Sequence, residues 1–249
     1  MSLAFAAVAV APGLAIGSFL NVVASRVPLR RSISRGRSAC MSCSHEIAAY
    51  DNVPLLSWAL LRGRCRHCAS AIPLRYPLVE LVTALLVAGS VLRFGLTFEA
   101  LVAAFFCVVL VAISAIDIEH RVIPNRIVIP AAAIMLVAQT VLQPSPEWTI
   151  SALGASGFLF AAALAYPKGM GMGDVKLAVL LGAMLGRSVA VGLMIGFLAA
   201  LVPAAVLGLR HGSKARKLAI PFAPFLAVGA VVALFAGPAI LDWYLSIFA

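Results

Sequence analysis

Eight stretches of almost unbroken apolar residues constrain this chain more than any other feature of its sequence. A helix needs roughly 20 residues to cross the hydrocarbon of a bilayer, and most of the stretches approach or exceed that length. The chain is 63% hydrophobic and 11% charged over 249 residues, which leaves too little polar surface to cover a water-soluble protein. We therefore expect an all-α polytopic membrane protein with about eight transmembrane helices, at residues 3–25, 77–93, 99–118, 127–143, 149–166, 174–186, 188–209 and 220–246.

The lengths of these stretches predict how the chain is organised. The first stretch lacks a basic start and runs well past the short apolar core of a cleaved signal sequence, so we expect a retained helix. The sixth is short for a span, which suits a helix that begins below the bilayer surface. Three regions result: a first transmembrane helix at 1–26, an insert at 27–75, and a transmembrane core at 76–249.

The basic residues lie mostly on one side of the predicted spans. Cytoplasmic loops collect Lys and Arg, so this side is expected to face the cytoplasm, with both termini outside. The net charge of +10 is then one-sided and suits anionic lipid of the inner leaflet. No helix-turn-helix or aromatic-interleaved basic segment supports nucleic-acid binding. Seventeen of the 19 basic residues lie on this side: Arg26, Arg30, Arg31, Arg35, Arg37, Arg62, Arg64, Arg66, Arg75, Arg121, Arg126, Lys168, Lys176, Arg210, Lys214, Arg216 and Lys217.

Two Cys-x2-Cys pairs lie in the insert, at Cys40–Cys43 and Cys65–Cys68. This spacing is typical of a tetrahedral four-cysteine zinc site, in which each pair supplies two thiolates. Two disulfides are the alternative, but the charge pattern places the insert in a reducing compartment, where disulfides are rare. Since about 50 residues make too small a core to fold alone, we expect the zinc to be structural.

Two histidines and one further cysteine have simpler interpretations. His45 and His67 adjoin the cysteine pairs and could replace a thiolate, but with four cysteines available we expect them on the surface. Cys107 lies inside the third predicted span and is expected to be a small buried apolar residue.

Four of the nine acidic residues lie near the cytoplasmic ends of predicted spans: Glu80, Asp117, Glu119 and Asp174. Asp117 ends the third span and Asp174 begins the sixth, so both are expected at similar depth on one side. Two aspartates that meet in a poorly hydrated cleft share one proton, and one can then activate a water while the other protonates a leaving group. This pattern predicts an aspartic protease.

Other roles for the residues around Asp117 and Asp174 stay open. An aspartate at a membrane boundary is often a helix N-cap, and Asp174 fits that role. Asp117 does not, because it closes a helix, where the dipole disfavours negative charge. Gly171 and Gly173 are expected to permit close approach and unusual torsions. Glu119 and His120 are expected to face the loop, and Glu80 to pair with Arg75.

Several motifs in this chain resemble those of the type IV prepilin peptidases, which are GxGD-type intramembrane aspartic proteases. The resemblance covers nearly the whole chain. It rests on the paired Cys-x2-Cys motifs and on "GSFLNVVASRVP" at 17–28, "YDNVPLLSW" at 50–58, "RYPLVE" at 75–80, "DIEHRVIPN" at 117–125, "GMGDVKL" at 171–177 and "IPFAPFLAVGA" at 220–230.

The resemblance implies an enzyme of the bacterial inner membrane, with Asp117 and Asp174 as its catalytic aspartates. It would remove the basic leader of prepilins and pseudopilins after a glycine, on the cytoplasmic side. Many members of the family carry an aspartate where this chain has Glu119, which implies an auxiliary role for Glu119.

The resemblance also implies a second activity, N-methylation of the new terminal residue with S-adenosylmethionine. Family members have a Gly-Lys pair linked to methylation, which corresponds here to Gly63 and Arg64, so this chain departs from the pattern at Arg64. The insert is the expected site of methyl transfer. A peptidase without methylation is the nearest alternative, although such enzymes usually lack the cysteine insert.

Two other protein classes fit parts of the pattern. A proton-coupled transporter would use intramembrane carboxylates, but it predicts acids staggered through the bilayer and internal repeats. A membrane thiol oxidoreductase would use Cys-x2-Cys pairs, but it predicts them on the outer side.

Overall fold

A computed structural model describes residues 2–34, 36–166, 170–211 and 220–247, without the side chains of residues 2 and 211. The expectations placed on Arg35, Lys168, Lys214, Arg216 and Lys217 lie outside this description. The described chain is helical, with isolated antiparallel bridges at Ala39–Glu46 and Arg64–Ala71. Its helices are α1 (Ser2–Arg26), α2 (Leu56–Leu60), α3 (Arg75–Phe94), α4 (Phe98–His120), α5 (Asn125–Leu142), α6 (Glu147–Ala165), α7 (Met172–Leu185), α8 (Val189–His211) and α9 (Ala223–Ser246).

The all-α prediction is confirmed, and eight of these helices correspond to the eight predicted spans. Within the described residues, seven ranges are long and apolar enough to cross a membrane. One of them, Met172–Arg210, contains both α7 and α8, which are separated by a 3-10 turn at Gly186–Ser188. With 14 residues, α7 extends only about 21 Å, less than the thickness of the hydrocarbon.

The chain divides into two compact units, Met1–Ala115 and Ile116–Ala249. In the first unit, α1 packs along α3. The contact is close because it is made through glycine: a Cβ on Gly13 would lie 2.7 Å from the Cα of Ala84, and one on Gly17 would lie 2.6 Å from the Cα of Glu80. Small residues allow helix backbones to approach in this way when no aqueous hydrophobic effect drives their association.

In the second unit, α7 lies at the centre, packed against α5, α6 and α9. Almost every residue from Val175 to Leu185 is buried. A Cβ on Gly182 would overlap the backbone of Ser151 and Ala152 in α6, so this glycine permits the contact between α6 and α7. Protein rather than lipid therefore surrounds the helix that follows the glycine-rich turn.

The C-terminal end of α7 is fixed by the start of α6. Gly186 ends the helix with a φ of 55°, in the left-handed region that glycine adopts readily. The Glu147 Oε1 then accepts the N–H of Arg187 at 2.9 Å. Deeper in the unit, the Gln139 amide donates to the carbonyl of Met184 at 2.9 Å.

Candidate active site and metal centre

Asp117 lies in the last turn of α4 and is 6% exposed. Its Oδ2 accepts the backbone N–H of Ala223 at 3.1 Å, at the first residue of α9. The N-terminus of a helix carries partial positive charge and unpaired N–H groups, which favour an anion. The charge of Asp117, unfavourable at the end of its own helix, is therefore compensated by the start of another.

Asp174 lies in the first turn of α7, three residues after the N-cap Gly171. The N-cap role considered for Asp174 is therefore wrong, because Gly171 holds that position. The Asp174 Oδ2 reaches back to accept the N–H of Gly171 at 3.2 Å. Asp174 is half-buried, and its carboxylate is near enough to that of Asp117 for the two to interact electrostatically.

Gly173 acts through its small size, and neither Gly171 nor Gly173 has an unusual torsion. Gly171 has an ordinary φ of −86°, and Gly173 lies in the regular helix α7, so the expectation of unusual torsions is wrong. A Cβ on Gly173 would lie 3.0 Å from the Cβ of Ile123. Gly173 thus allows the start of α7 to approach the segment that follows Asp117.

A polar contact that we did not predict joins the same two segments. The Lys176 Nζ donates to the Asn125 Oδ1 at 2.9 Å, across 51 residues of sequence. Asn125 begins α5, eight residues after Asp117, and Lys176 follows Asp174 by two. The motifs at 117–125 and 171–177 contain both residues, so their presence in the motifs was the available signal, but helical periodicity cannot predict a contact between distant segments.

Two polar residues follow Asp117 at the end of α4. Glu119 is exposed and His120 half-buried, and the His120 Nε2 lies 3.6 Å from the Glu119 Oε2. The Nε2 atom is buried and has no hydrogen-bond partner among the described residues. The chain then turns at Arg121, with a φ of 54°.

The four cysteines of the insert converge on one point. Their Sγ atoms all lie within 4.8 Å of one another, and the Sγ atoms of Cys40 and Cys68 are 3.7 Å apart. Zn–S bonds of about 2.3 Å in a tetrahedron separate the sulfur atoms by about 3.8 Å. All five cysteines of the chain are free thiols, and Cys107 is buried as predicted. The donor set therefore fits a four-thiolate zinc ion.

Each cysteine pair forms the same small turn. Cys40 donates its N–H to the carbonyl of His45 at 2.9 Å, and Cys65 does so to Ser70 at 2.9 Å. The residue after each second cysteine has a positive φ, 58° at Ser44 and 55° at Ala69. Two copies of one turn thus point their thiols at a common centre, which is the arrangement a tetrahedral metal requires.

The thiol pKa values in this cluster diverge. The backbone N–H of Cys43 and the hydroxyl of Ser70 lower the pKa of the Cys40 thiol to about 5. The pKa of the Cys43 thiol is raised to about 11 because the N–H of His45, which lowers it, is outweighed by desolvation and by the three neighbouring thiols. Four thiolates this close repel one another, so a divalent cation is needed for all of them to ionise together.

Other contacts hold the two turns in place. The Arg66 guanidinium binds the Asp51 carboxylate through two hydrogen bonds, of 2.8 and 2.6 Å, and this contact lowers the pKa of Asp51. The rings of His45 and His67 are in contact, with centroids 3.5 Å apart and an angle of 37° between their planes. Both histidines are exposed, as expected.

Gly63 and Arg64 directly precede the second cysteine pair. Gly63 is buried, has a φ of 66°, and a Cβ there would lie 2.8 Å from the Trp58 ring. This geometry requires glycine on structural grounds. The Arg64 residue is exposed, so its guanidinium is accessible to a ligand.

Comparison with known proteins identifies the family. The model of the bacterial peptidase A24 N-terminal domain matches residues 12–94, and that of the type IV leader peptidase family matches residues 104–209. No solved structure matches the chain.

Relatives match over nearly the whole length. A prepilin leader peptidase/N-methyltransferase of Bacillus subtilis is 35% identical over 94% of this chain and 95% of its own. One of Stutzerimonas stutzeri is 35% identical over 98% of this chain and 95% of its own. One of Myxococcus xanthus is 40% identical over 74% of this chain and 57% of its own. On these matches, the chain belongs to the type IV leader peptidase family.

Proposed function

We propose that this protein is a prepilin leader peptidase and N-methyltransferase, with Asp117 and Asp174 as the catalytic pair of the peptidase. The observation that carries the proposal is the close packing of the two segments that contain them, where a Cβ on Gly173 would lie 3.0 Å from the Cβ of Ile123. Relatives that match over nearly their whole length bear this name. The substrates are prepilins and pseudopilins, cut after the glycine that ends their basic leader.

The peptidase needs one carboxylate and one carboxylic acid. The ionised aspartate takes a proton from a water, whose oxygen attacks the scissile carbonyl carbon. The protonated aspartate gives its proton to the leaving amine, so the pair ends with its protons exchanged and its net charge unchanged. The N–H groups of Ala223 and Gly171 orient the two carboxylates, which keeps them in position before substrate arrives.

Methyl transfer is the second proposed activity. S-adenosylmethionine, when bound, supplies an electrophilic methyl group to the new N-terminal amine. We assign the donor to the insert, near Gly63 and Arg64. The accessible Arg64 guanidinium suits the carboxylate of the donor, and Gly63 keeps the backbone beside it in place by packing on Trp58. Cys40, Cys43, Cys65 and Cys68 would hold a structural zinc ion that maintains this segment.

We further propose that the insert and the catalytic pair face the cytoplasm of a bacterial inner membrane, with both termini outside. Alternation of the spans along the sequence assigns most of the basic residues to one side, including Arg26, Arg75, Arg121, Arg126 and Arg210, as expected of the cytoplasmic side. These residues would also bind anionic lipid headgroups.

Mass spectrometry of the pilin N-terminus tests both activities. Purified enzyme in detergent, incubated with a prepilin, should yield cut pilin without added donor and cut, singly methylated pilin with it. Arg64→Ala should reduce methylation more than cleavage, because the carboxylate pair stays intact. Cut but unmethylated pilin at saturating donor would leave a peptidase only, and uncut prepilin would refute the proposal.

A further inference from the structure

Glu80 is a buried carboxylate that neither proposed reaction uses. It lies in α3, five residues after the insert ends, and is 8% exposed. Ionisable side chains within membrane bundles are costly, so they are retained where they bind a specific partner. The predicted pairing with Arg75 does not explain why this carboxylate is buried.

The partner of Glu80 is the backbone of the insert. Its Oε2 accepts the N–H of Leu55 at 2.9 Å. Leu55 has a φ of 59° and a ψ of −49°, and Leu56 donates its N–H to the carbonyl of Pro54 at 2.6 Å. This is a classic γ-turn, which is rare and strained for a residue with a side chain. The turn directs the N–H of Leu55 at the carboxylate.

The backbone of Glu80 packs against α1. The backbone of Glu80 contacts Gly17, where a Cβ would lie 2.6 Å from the Glu80 Cα. Four residues further along α1, the buried Asn21 donates to the carbonyl of Tyr76 at 3.1 Å. These two contacts hold the start of α3 against α1. The Glu80 side chain therefore connects the insert to a rigid pair of helices.

Contacts continue from Leu55 to the proposed donor site. Leu55 is the N-cap of α2, which contains Trp58. The Trp58 indole packs against Gly63 and donates to the carbonyl of Ile72 at 3.2 Å. A displacement of Leu55 would therefore move α2, and with it the ring that holds Gly63 in place.

We propose that Glu80 is a positioning residue that docks the insert on the membrane helices, through Leu55 and α2, and thereby places Gly63 and Arg64 for methyl transfer. Its carboxylate acts as a hydrogen-bond acceptor and takes no part in either reaction. This inference rests on the proposed methyltransferase function, but its docking step can be measured without that activity.

The test compares Glu80→Met, which removes the acceptor, with Glu80→Gln, which keeps one amide oxygen. A third variant, Leu55→Gly, keeps the N–H and suits the positive φ. The full-length enzyme in detergent is assayed for methylation of a pre-cleaved pilin, for prepilin cleavage, for zinc content and for the rate at which trypsin cuts the insert.

Glu80→Met should reduce methylation about tenfold, because it leaves the partly buried N–H of Leu55 without an acceptor. It should increase the rate at which trypsin cuts the insert. It should reduce prepilin cleavage less than it reduces methylation, and it should leave the zinc content unchanged. Glu80→Gln and Leu55→Gly should remain near wild type in every assay.

Two outcomes would overturn the inference. If Glu80→Gln is as deficient as Glu80→Met, the charge itself is required, and Glu80 is not merely an acceptor. If Glu80→Met leaves trypsin sensitivity unchanged, the insert is not docked through this residue. Failure of the wild-type enzyme to methylate would refute the proposed methyltransferase function instead, while the trypsin assay would still decide whether Glu80 docks the insert.

Discussion

Asp117 shows what a sequence can and cannot indicate at the scale of one residue. Its position at a helix end, where the dipole opposes its charge, marked it as unusual. The compensation comes from the N–H of Ala223, 106 residues away. Backbone N–H groups carry no sequence signal of their own, so this partner could not be predicted. The contact between the side chains of Lys176 and Asn125 was missed for a different reason: it depends on how α5 and α7 pack.

We predict that the hydrogen bond between Lys176 and Asn125 stabilises the arrangement of the two catalytic segments. Asn125→Ala and Lys176→Met should each lower kcat for prepilin cleavage, by about threefold to tenfold, with little change in KM. The double variant should be no worse than either single one, because both remove the same contact. Additive losses would mean that the residues act independently.

At the scale of elements, hydropathy located the eight long helices within about three residues of their observed ends. Length and apolar composition determine spans because a helix must satisfy its own backbone groups in lipid. The packing partners of each helix were not predictable. The central position of α7 depends on the close contact of Gly182 with α6, and a glycine within an apolar helix does not reveal which neighbour it meets.

The contact of Gly182 with α6 predicts that alanine substitutions at two glycines differ in their effect on stability. Gly182→Ala should destabilise the protein by about 1–3 kcal/mol, as overpacking does, because the added methyl group overlaps the backbone of Ser151 and Ala152. Gly154→Ala in α6 is the control, since nothing lies within 4 Å of its Cβ position. Thermal unfolding in detergent should show a lower Tm for the first variant alone. Equal Tm values would contradict the packing described here.

The insert was the most predictable element, because the spacing of its cysteines predicts a metal site directly. Cys40→Ser should reduce bound zinc and make the insert sensitive to trypsin, since structural zinc supplies much of the folding free energy in small segments. Chelation of the wild-type protein should have the same effect. Cys107→Ala, which lies outside the cluster, should keep its zinc. Metal analysis that found no zinc in wild-type protein with four reduced thiols would contradict this prediction.

At the scale of the whole molecule, the sequence predicted the family, which the matches to relatives confirm, while the separation of the site residues into an insert and a membrane core stays a prediction. Motifs in a fixed order identified the family, and the structure shows a contact in several of them: close packing at Gly17, the hydrogen bond between Leu55 and Glu80, and the approach of Gly173 to Ile123. Such contacts between motifs are revealed only by the structure.

The central claim is that Asp117 and Asp174 together cleave the leader. Its most direct test is the rate of prepilin cleavage by Asp117→Asn and Asp174→Asn, purified in detergent and compared with Glu119→Gln, by mass spectrometry of the pilin N-terminus. Each Asp variant should keep the wild-type Tm within a few degrees and lose cleavage by at least about a thousandfold, because each removes one half of a proton-sharing pair. Glu119→Gln should retain most activity. Near-normal cleavage by either folded Asp variant would contradict the assignment.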